Sequence, residues 1–195
     1  KAIYRQLRNL LLPQGQEKFQ AGAFQGGGTD ADTETIFAIS VNRGRLKEKM
    51  DPGNWELRLS GSNGDTLHLI DDSGATNDPN VRNTQRVFNI VSGSIAQGST
   101  VIGGASTQSF GKFYPESGML ILDATKLATG TGSNGIKLSG YTTASNTNGA
   151  NNIAILNAIK GGAYFAARRE EQIKSTHYFC RVRHNQYNHS QNPTY

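Results

Sequence analysis

A single cysteine, Cys180, stands in the 195 residues. No intramolecular disulfide can form and no cysteine-based metal cage can be built, which fits folding in a reducing cytoplasm. No apolar run approaches the ~18 residues of a membrane-spanning helix. Leu10, Leu11 and Leu12 make too short a core for a signal peptide. Charged residues are 18% of the chain, below the usual ~25%. Hydrophobic residues are 35%, where globular domains run to ~45–50% with glycine counted. Any core is therefore thin, and a thin core favours burial against partners.

What the chain does have is glycine, 23 residues of it, with abundant Ser, Thr and Asn. That is a composition of short strands joined by many turns rather than of helical bundles. The net charge is +5, and much of the basic excess sits near the two ends, at Arg5, Arg8, Arg168, Arg169, Lys174, Arg181 and Arg183. These cations do not alternate with an aromatic stacking stripe, and no nucleic-acid reader motif is present, so a positive surface facing an acidic neighbour is the simpler reading. The first residue is Lys1 rather than Met, and Tyr195 closes the sequence in mid-pattern; both are expected of a fragment or processed product of a longer chain.

Periodicity gives the order of elements. Residues 2–12 place Ile3, Leu7, Leu10 and Leu11 at helical spacing, with Pro13 beyond, which predicts a short amphipathic helix. Ile36 to Val41 is a buried-strand run, and residues 43–50 suit one helical turn. Asp51-Pro52-Gly53 reads as a turn. Trp55 to Leu59 alternates with period two, so Trp55, Leu57 and Leu59 share a core face. Asn63-Gly64 is hairpin chemistry, returning through Thr66 to Ile70. Further strands are expected at residues 86–91, 100–102, 110–114, 119–123, 165–173 and 177–182. Residues 94–98 read as a turn region. Helical turns are expected at residues 124–128 and a helix at 151–160, stopped by Gly161-Gly162. Residues 130–148 read as a surface loop. The fold class this implies is mainly β: antiparallel, sandwich-like sheets of short strands with one or two short helices. The organisation is a helical arm at residues 1–20, a β-rich core at 21–184 and a tail at 185–195.

Several groups of residues carry a chemical suggestion that a structural reading answers better. His177, Cys180, His184 and His189 contain zinc-type ligands, but His177 and Cys180 fall on opposite faces of a strand and His184 lies about 13 Å from Cys180 along it. A Cys–His nucleophile lacks an orienting third group. Asp71, Asp72, Asn77 and Asp78 offer calcium-type oxygens without the spacing of a known loop. Gly26-Gly27-Gly28 has no following Lys-Ser/Thr to make a phosphate cradle. Glu116 and Asp123 are an acid/base pair only if folding brings them together.

Three stretches carry a resemblance. The first is Ile36-Phe37-Ala38-Ile39-Ser40 followed by Arg43, Lys49, Met50, Pro52-Gly53 and Trp55-Glu56-Leu57. The second is Gly111-Lys112-Phe113-Tyr114-Pro115-Glu116-Ser117-Gly118-Met119-Leu120-Ile121-Leu122-Asp123. The third is Tyr178-Phe179-Cys180-Arg181-Val182-Arg183 with Tyr187-Asn188-His189-Ser190-Gln191-Asn192-Pro193-Thr194, the most specific of the three. Together, over about half of the chain and in this order, they resemble a family of virion structural proteins from large contractile-tailed phages, placed in the tail or baseplate. The resemblance implies further sequence beyond the Asn-Pro-Thr stretch and carries no enzymatic residues.

The expectation is thus a non-enzymatic structural component of a tailed-phage virion, most simply of the tail or baseplate, made in the host cytoplasm. It needs no cofactor and no metal, has no membrane span and does not engage nucleic acid. Its partners are other virion structural proteins, in a homo- or hetero-oligomer. Interface residues expected at the two ends are Ile3, Leu7, Leu10, Leu11, Arg181, Arg183, Tyr187, Asn188, Asn192 and Tyr195. The alternative is a capsid-decorating or host- or glycan-binding β module that uses the loop at residues 130–148.

Overall fold

The structure is a computed structural model; it describes residues 2–22, 24, 29–75, 80–82, 85–96, 99–102, 108–130, 135–144, 148–182 and 190–194. It is mainly antiparallel β, with four helices. The elements in chain order are α1 (Ala2–Leu11), β1 (Phe19–Ala21), β2 (Ala31–Thr33), β3 (Ile36–Ser40), α2 (Arg43–Leu46), β4 (Lys49–Ser60), β5 (Thr66–Asp71), β6 (Asn80–Arg82), β7 (Gln85–Ala96), β8 (Ser99–Ile102), β9 (Gly111–Tyr114), β10 (Met119–Asp123), α3 (Ala124–Thr129), α4 (Asn148–Gly162) and β11 (Tyr164–Glu170). The main sheet has the order β11-β4-β5-β7-β9-β10-β3, with β6 and β8 also paired to β7, and β1 pairs with β2 in a separate ribbon.

Both faces of the main sheet are covered, and side-chain alternation decides which residue goes where. Register sets Leu57 opposite Leu69, Phe88 opposite Phe113 and Leu120 opposite Ile39. These residues share one face with Trp55, Leu59, Leu67, Ile90 and Leu122, and α3, α4 and the segment through Ile136 and Leu138 close over them. On the opposite face, Val87, Tyr114 and Ile121 pack under Leu11, Leu12 and Phe19, from α1 and β1. Ile70 and Val91 pack there with Phe24. A 35% hydrophobic composition suffices because the strands that bury both faces are few.

Ion pairs hold the sheet in a curl. Arg86, on β7, binds Glu116 in the β9–β10 turn at 2.9 Å and Glu170 at the end of β11 at 3.5 Å. Glu170 also meets Lys49 at 2.9 Å. In sheet order β11 and β7 are separated by β4 and β5, so only curvature brings Glu170 to Arg86.

Three sequence expectations are corrected. Asp51-Pro52-Gly53 does not end a strand but lies inside β4, where the pairing with β11 shifts register between Ala167 and Arg169. Gly53 takes φ +79°, and its N–H donates to the Asp71 carboxylate at 2.8 Å. Pro and Gly here build a bulge, the form in which a sheet tolerates them. Residues 130–148 are more than surface loop: Ile136 and Leu138 are buried, and the Ile136 N–H donates to Leu127 O at 2.7 Å. Residues 177–182 are extended but unpaired, because no strand lies beside them to complete a ladder.

Gly111, on β9, is the tightest backbone approach in the sheet: a Cβ there overlaps the Ile121 carbonyl of β10. Gly111→Ala is expected to cost about 1–3 kcal/mol through forced backbone shifts, measured as a lowered urea midpoint with an unchanged m-value.

Candidate assembly interface

The described surface concentrates its unpartnered apolar residues in three places. The first is α1. Its inner side, through Tyr4, Leu7 and Leu11, packs on the sheet, and the Tyr4 hydroxyl donates to Thr33 O at 2.7 Å while accepting from Phe19 N at 3.1 Å. Its outer side leaves Ile3 71% and Leu10 52% exposed. Of the four apolar residues expected to meet a partner, Leu11 is therefore turned inward, Leu7 is half-buried, and Ile3 and Leu10 remain available. The second is α4, which is apolar on two sides: Ala154, Ile155 and Ala158 enter the core, while Ile153 and Leu156 face solvent. A helix apolar all round is ordinarily covered all round.

The third is the segment after β11. Residues 171–182 run extended with no turn, no strand pairing and full exposure along their length. Tyr178 is 87% and Phe179 95% exposed, with Ile173 and Val182 also outside. The segment is fastened only at its root, where Gln172 N donates to Glu48 Oε2 at 2.8 Å and Lys47 pairs with Glu171. Arg181 and Asn192 are exposed as expected of interface residues. Arg183, Tyr187, Asn188 and Tyr195 lie outside the described residues, as do Gly26, Gly27 and Gly28.

The residues with a chemical suggestion serve the fold. Asp123 caps α3, accepting from Thr125 N at 2.9 Å and Lys126 N at 3.0 Å. Glu116 is held by Arg86. The two carboxylates thus have separate structural duties. Asp71 accepts from Gly53 N and Ser73 N. Asp72 accepts from the Asn89 backbone N–H at 2.9 Å and from its side-chain amide at 2.7 Å. Asn77 and Asp78 lie outside the described residues, as do His184 and His189. His177 and Cys180 are exposed in the extended segment. Among the described residues no group of three or more His, Cys, Asp or Glu side chains converges as a metal site, and no helix is long and apolar enough to cross a membrane.

Two buried polar networks lie on the sheet face that carries Ile70 and Val91, and the sequence gave no signal for either. Lys112, on β9, donates to Asn89 Oδ1 at 2.7 Å and reaches Asp30 at 3.4 Å, extending the Asp72–Asn89 pair into a chain of four side chains. Glu56, 2% exposed, accepts from Ile95 N at 3.0 Å and Arg58 Nε at 2.7 Å and lies 3.0 Å from His68 Nδ1. Arg58 in turn stacks its guanidinium 4.2 Å above the Tyr164 ring, which ties the edge strand β11 to β4. Cross-strand register alone assembles these groups, which is why a linear reading misses them.

Burial pushes the Glu56 carboxyl upward, but the Ile95 N–H, Arg58 and His68 outweigh it and hold the group below the ordinary carboxylate range. A carboxylate whose folded pKa is depressed contributes stability above its unfolded pKa and loses it as pH falls through the folded value. Asp71 runs the other way: burial, and the neighbouring Asp72, raise its carboxyl despite the bonds from Ser73 and Gly53. Its contribution is therefore present at low pH and lost as pH rises through its raised value. Glu56→Gln is expected to cost about 1.5–3 kcal/mol at neutral pH, the worth of hydrogen bonds to a charged group. The gap to the unsubstituted protein should close as urea titrations are taken down through the acid range. On α1, Leu11→Ala should cost about 2–5 kcal/mol, whereas Ile3→Ala and Leu10→Ala should stay within about 0.5 kcal/mol; equal losses at all three in urea unfolding would refute the inward and outward division of this helix.

Compared with protein-family models, with curated proteins and with solved structures, the chain matches none.

Proposed function

We propose that this protein is a non-enzymatic structural component of a tailed-phage virion, acting through protein–protein contacts, with the tail or baseplate as its place. The observation that carries the assembly reading is the segment at residues 171–182: a run with Tyr178, Phe179 and Val182 exposed on a rigidly built sheet domain. Large apolar side chains held in water are unfavourable by roughly 1.5–3 kcal/mol each relative to burial, so their arrangement on an extended segment suits ordering against a partner. The virion reading rests on the resemblance of the stretches around Ile36 to Leu57, Gly111 to Asp123 and Tyr178 to Thr194. Fold and motif fit together physically, since Pro52-Gly53 and Glu116-Ser117-Gly118 set strand register in the β4 bulge and the β9–β10 turn.

Immunogold labelling of intact particles with antibody to this domain tests the placement. Gold is expected at the tail tip. Gold spread over the head would move the protein to capsid decoration, and its absence from particles would refute the virion reading.

A further inference from the structure

We infer that the extended segment of one copy adds as an edge strand to β3 of a second copy, so that this chain assembles head to tail with itself. The inference deepens the assembly reading of the same segment, and it names the partner and the contact.

The main sheet has two open edges among the described strands. β11 pairs only with β4, and β3 pairs only with β10. An open edge presents unpaired N–H and C=O groups, and an extended segment supplies their complement. Tyr178-Phe179-Cys180-Arg181-Val182 is five residues of largely strand-favouring type, matching the five residues of β3, Ile36–Ser40.

Charge selects between the edges. Residues 172–182 contain Lys174 and Arg181 and no acid. Residues 30–41, which lead into and form β3, contain Asp30, Asp32 and Glu34 and no base. Asp32 is exposed, and the Glu34 side chain keeps 79% of its surface while paired with Lys18. β11 carries Arg168 and Arg169, which repel a basic strand. Direction follows from the same charges. Antiparallel addition brings Arg181 toward Glu34, whereas parallel addition brings it toward Arg43 and Arg45 of α2.

Chain direction selects a second copy over the same one. β3 runs into α2, and β11 also runs toward α2, where Lys47 meets Glu171 and Glu48 accepts from Gln172 N. To lie antiparallel on its own β3, the segment must reverse at this corner. Residues 171–182 contain no turn. At about 3.3 Å per residue the segment spans roughly 40 Å, enough to leave its own domain and reach another. The donor segment and the acceptor edge are different patches, so the contact is heterologous and propagates into a ring or an open row.

The test uses the full chain and two single substitutions at exposed positions: Phe179→Asp on the donor and Ala38→Lys on the acceptor. Sedimentation velocity over a concentration series should show the unsubstituted protein as an oligomer, and each substitution should weaken association at least tenfold. A third variant, Ala38→Cys, sets a second cysteine against Cys180. Mild oxidation should give a ladder of disulfide-linked species beyond the dimer, whereas Cys180 alone stops at the dimer. A monomer at every concentration, an oligomer that survives both substitutions, or a disulfide closed within one chain would each overturn the inference. These outcomes are independent of gold labelling: labelled particles with a monomeric purified chain would sink self-assembly and leave the virion reading standing.

Discussion

Everything in this fold hangs on β7. The strand is 12 residues long and takes β5, β6, β8 and β9 as neighbours. Its alternation sends Phe88 and Ile90 into one core and Val87 and Val91 into the other. Asn89, between them, cannot be buried without partners, and Asp72 and Lys112 supply them at 2.7 Å. A buried polar network is favourable only when its members are satisfied, so this chain of side chains fixes the register of β7 against β9. A slip of one residue would put Asn89 among Phe88's neighbours and expose both cores.

The same strand sets the shape of the sheet. Arg86, at its beginning, draws in Glu170 from the far edge and Glu116 from the turn after β9. That curl turns the ends of β3 and β11 toward α2 without joining them. It leaves β3 open on one side and releases the chain after Glu171 away from the domain. The proposed assembly role thus depends on an incomplete closure: a sheet that paired its last edge internally would offer nothing to a neighbour.

Strand existence was readable wherever one face is buried, because period two shows in the residues: Trp55, Leu57 and Leu59 all enter the core together, as their spacing implies. Helix positions were readable for the same reason, and Asp123 as the cap of α3 sits where capping chemistry puts it. The bulge at Pro52-Gly53 was read as a turn because Pro and Gly carry the same local signal in both; what separates them is whether β11 pairs on either side. Ile136 and Leu138 were hidden in a polar stretch, and two isolated apolar residues have no period to read. At the proposed interface, composition showed that the ends were polar and basic, but it gave α1 no inner and outer side.

The sequence by itself determined that this protein is a mainly antiparallel β domain with short turns and a thin core, since glycine content, alternation and sparse charge are local properties. Only the tertiary structure decided that Glu56 meets Arg58, His68 and the Ile95 N–H, that Lys112 meets Asn89, that Leu11 faces inward, and that residues 171–182 find no partner in their own sheet. Those facts depend on which strands lie side by side. Pairing between residues far apart in the chain is set by the packing of both sheet faces together, which no local pattern encodes.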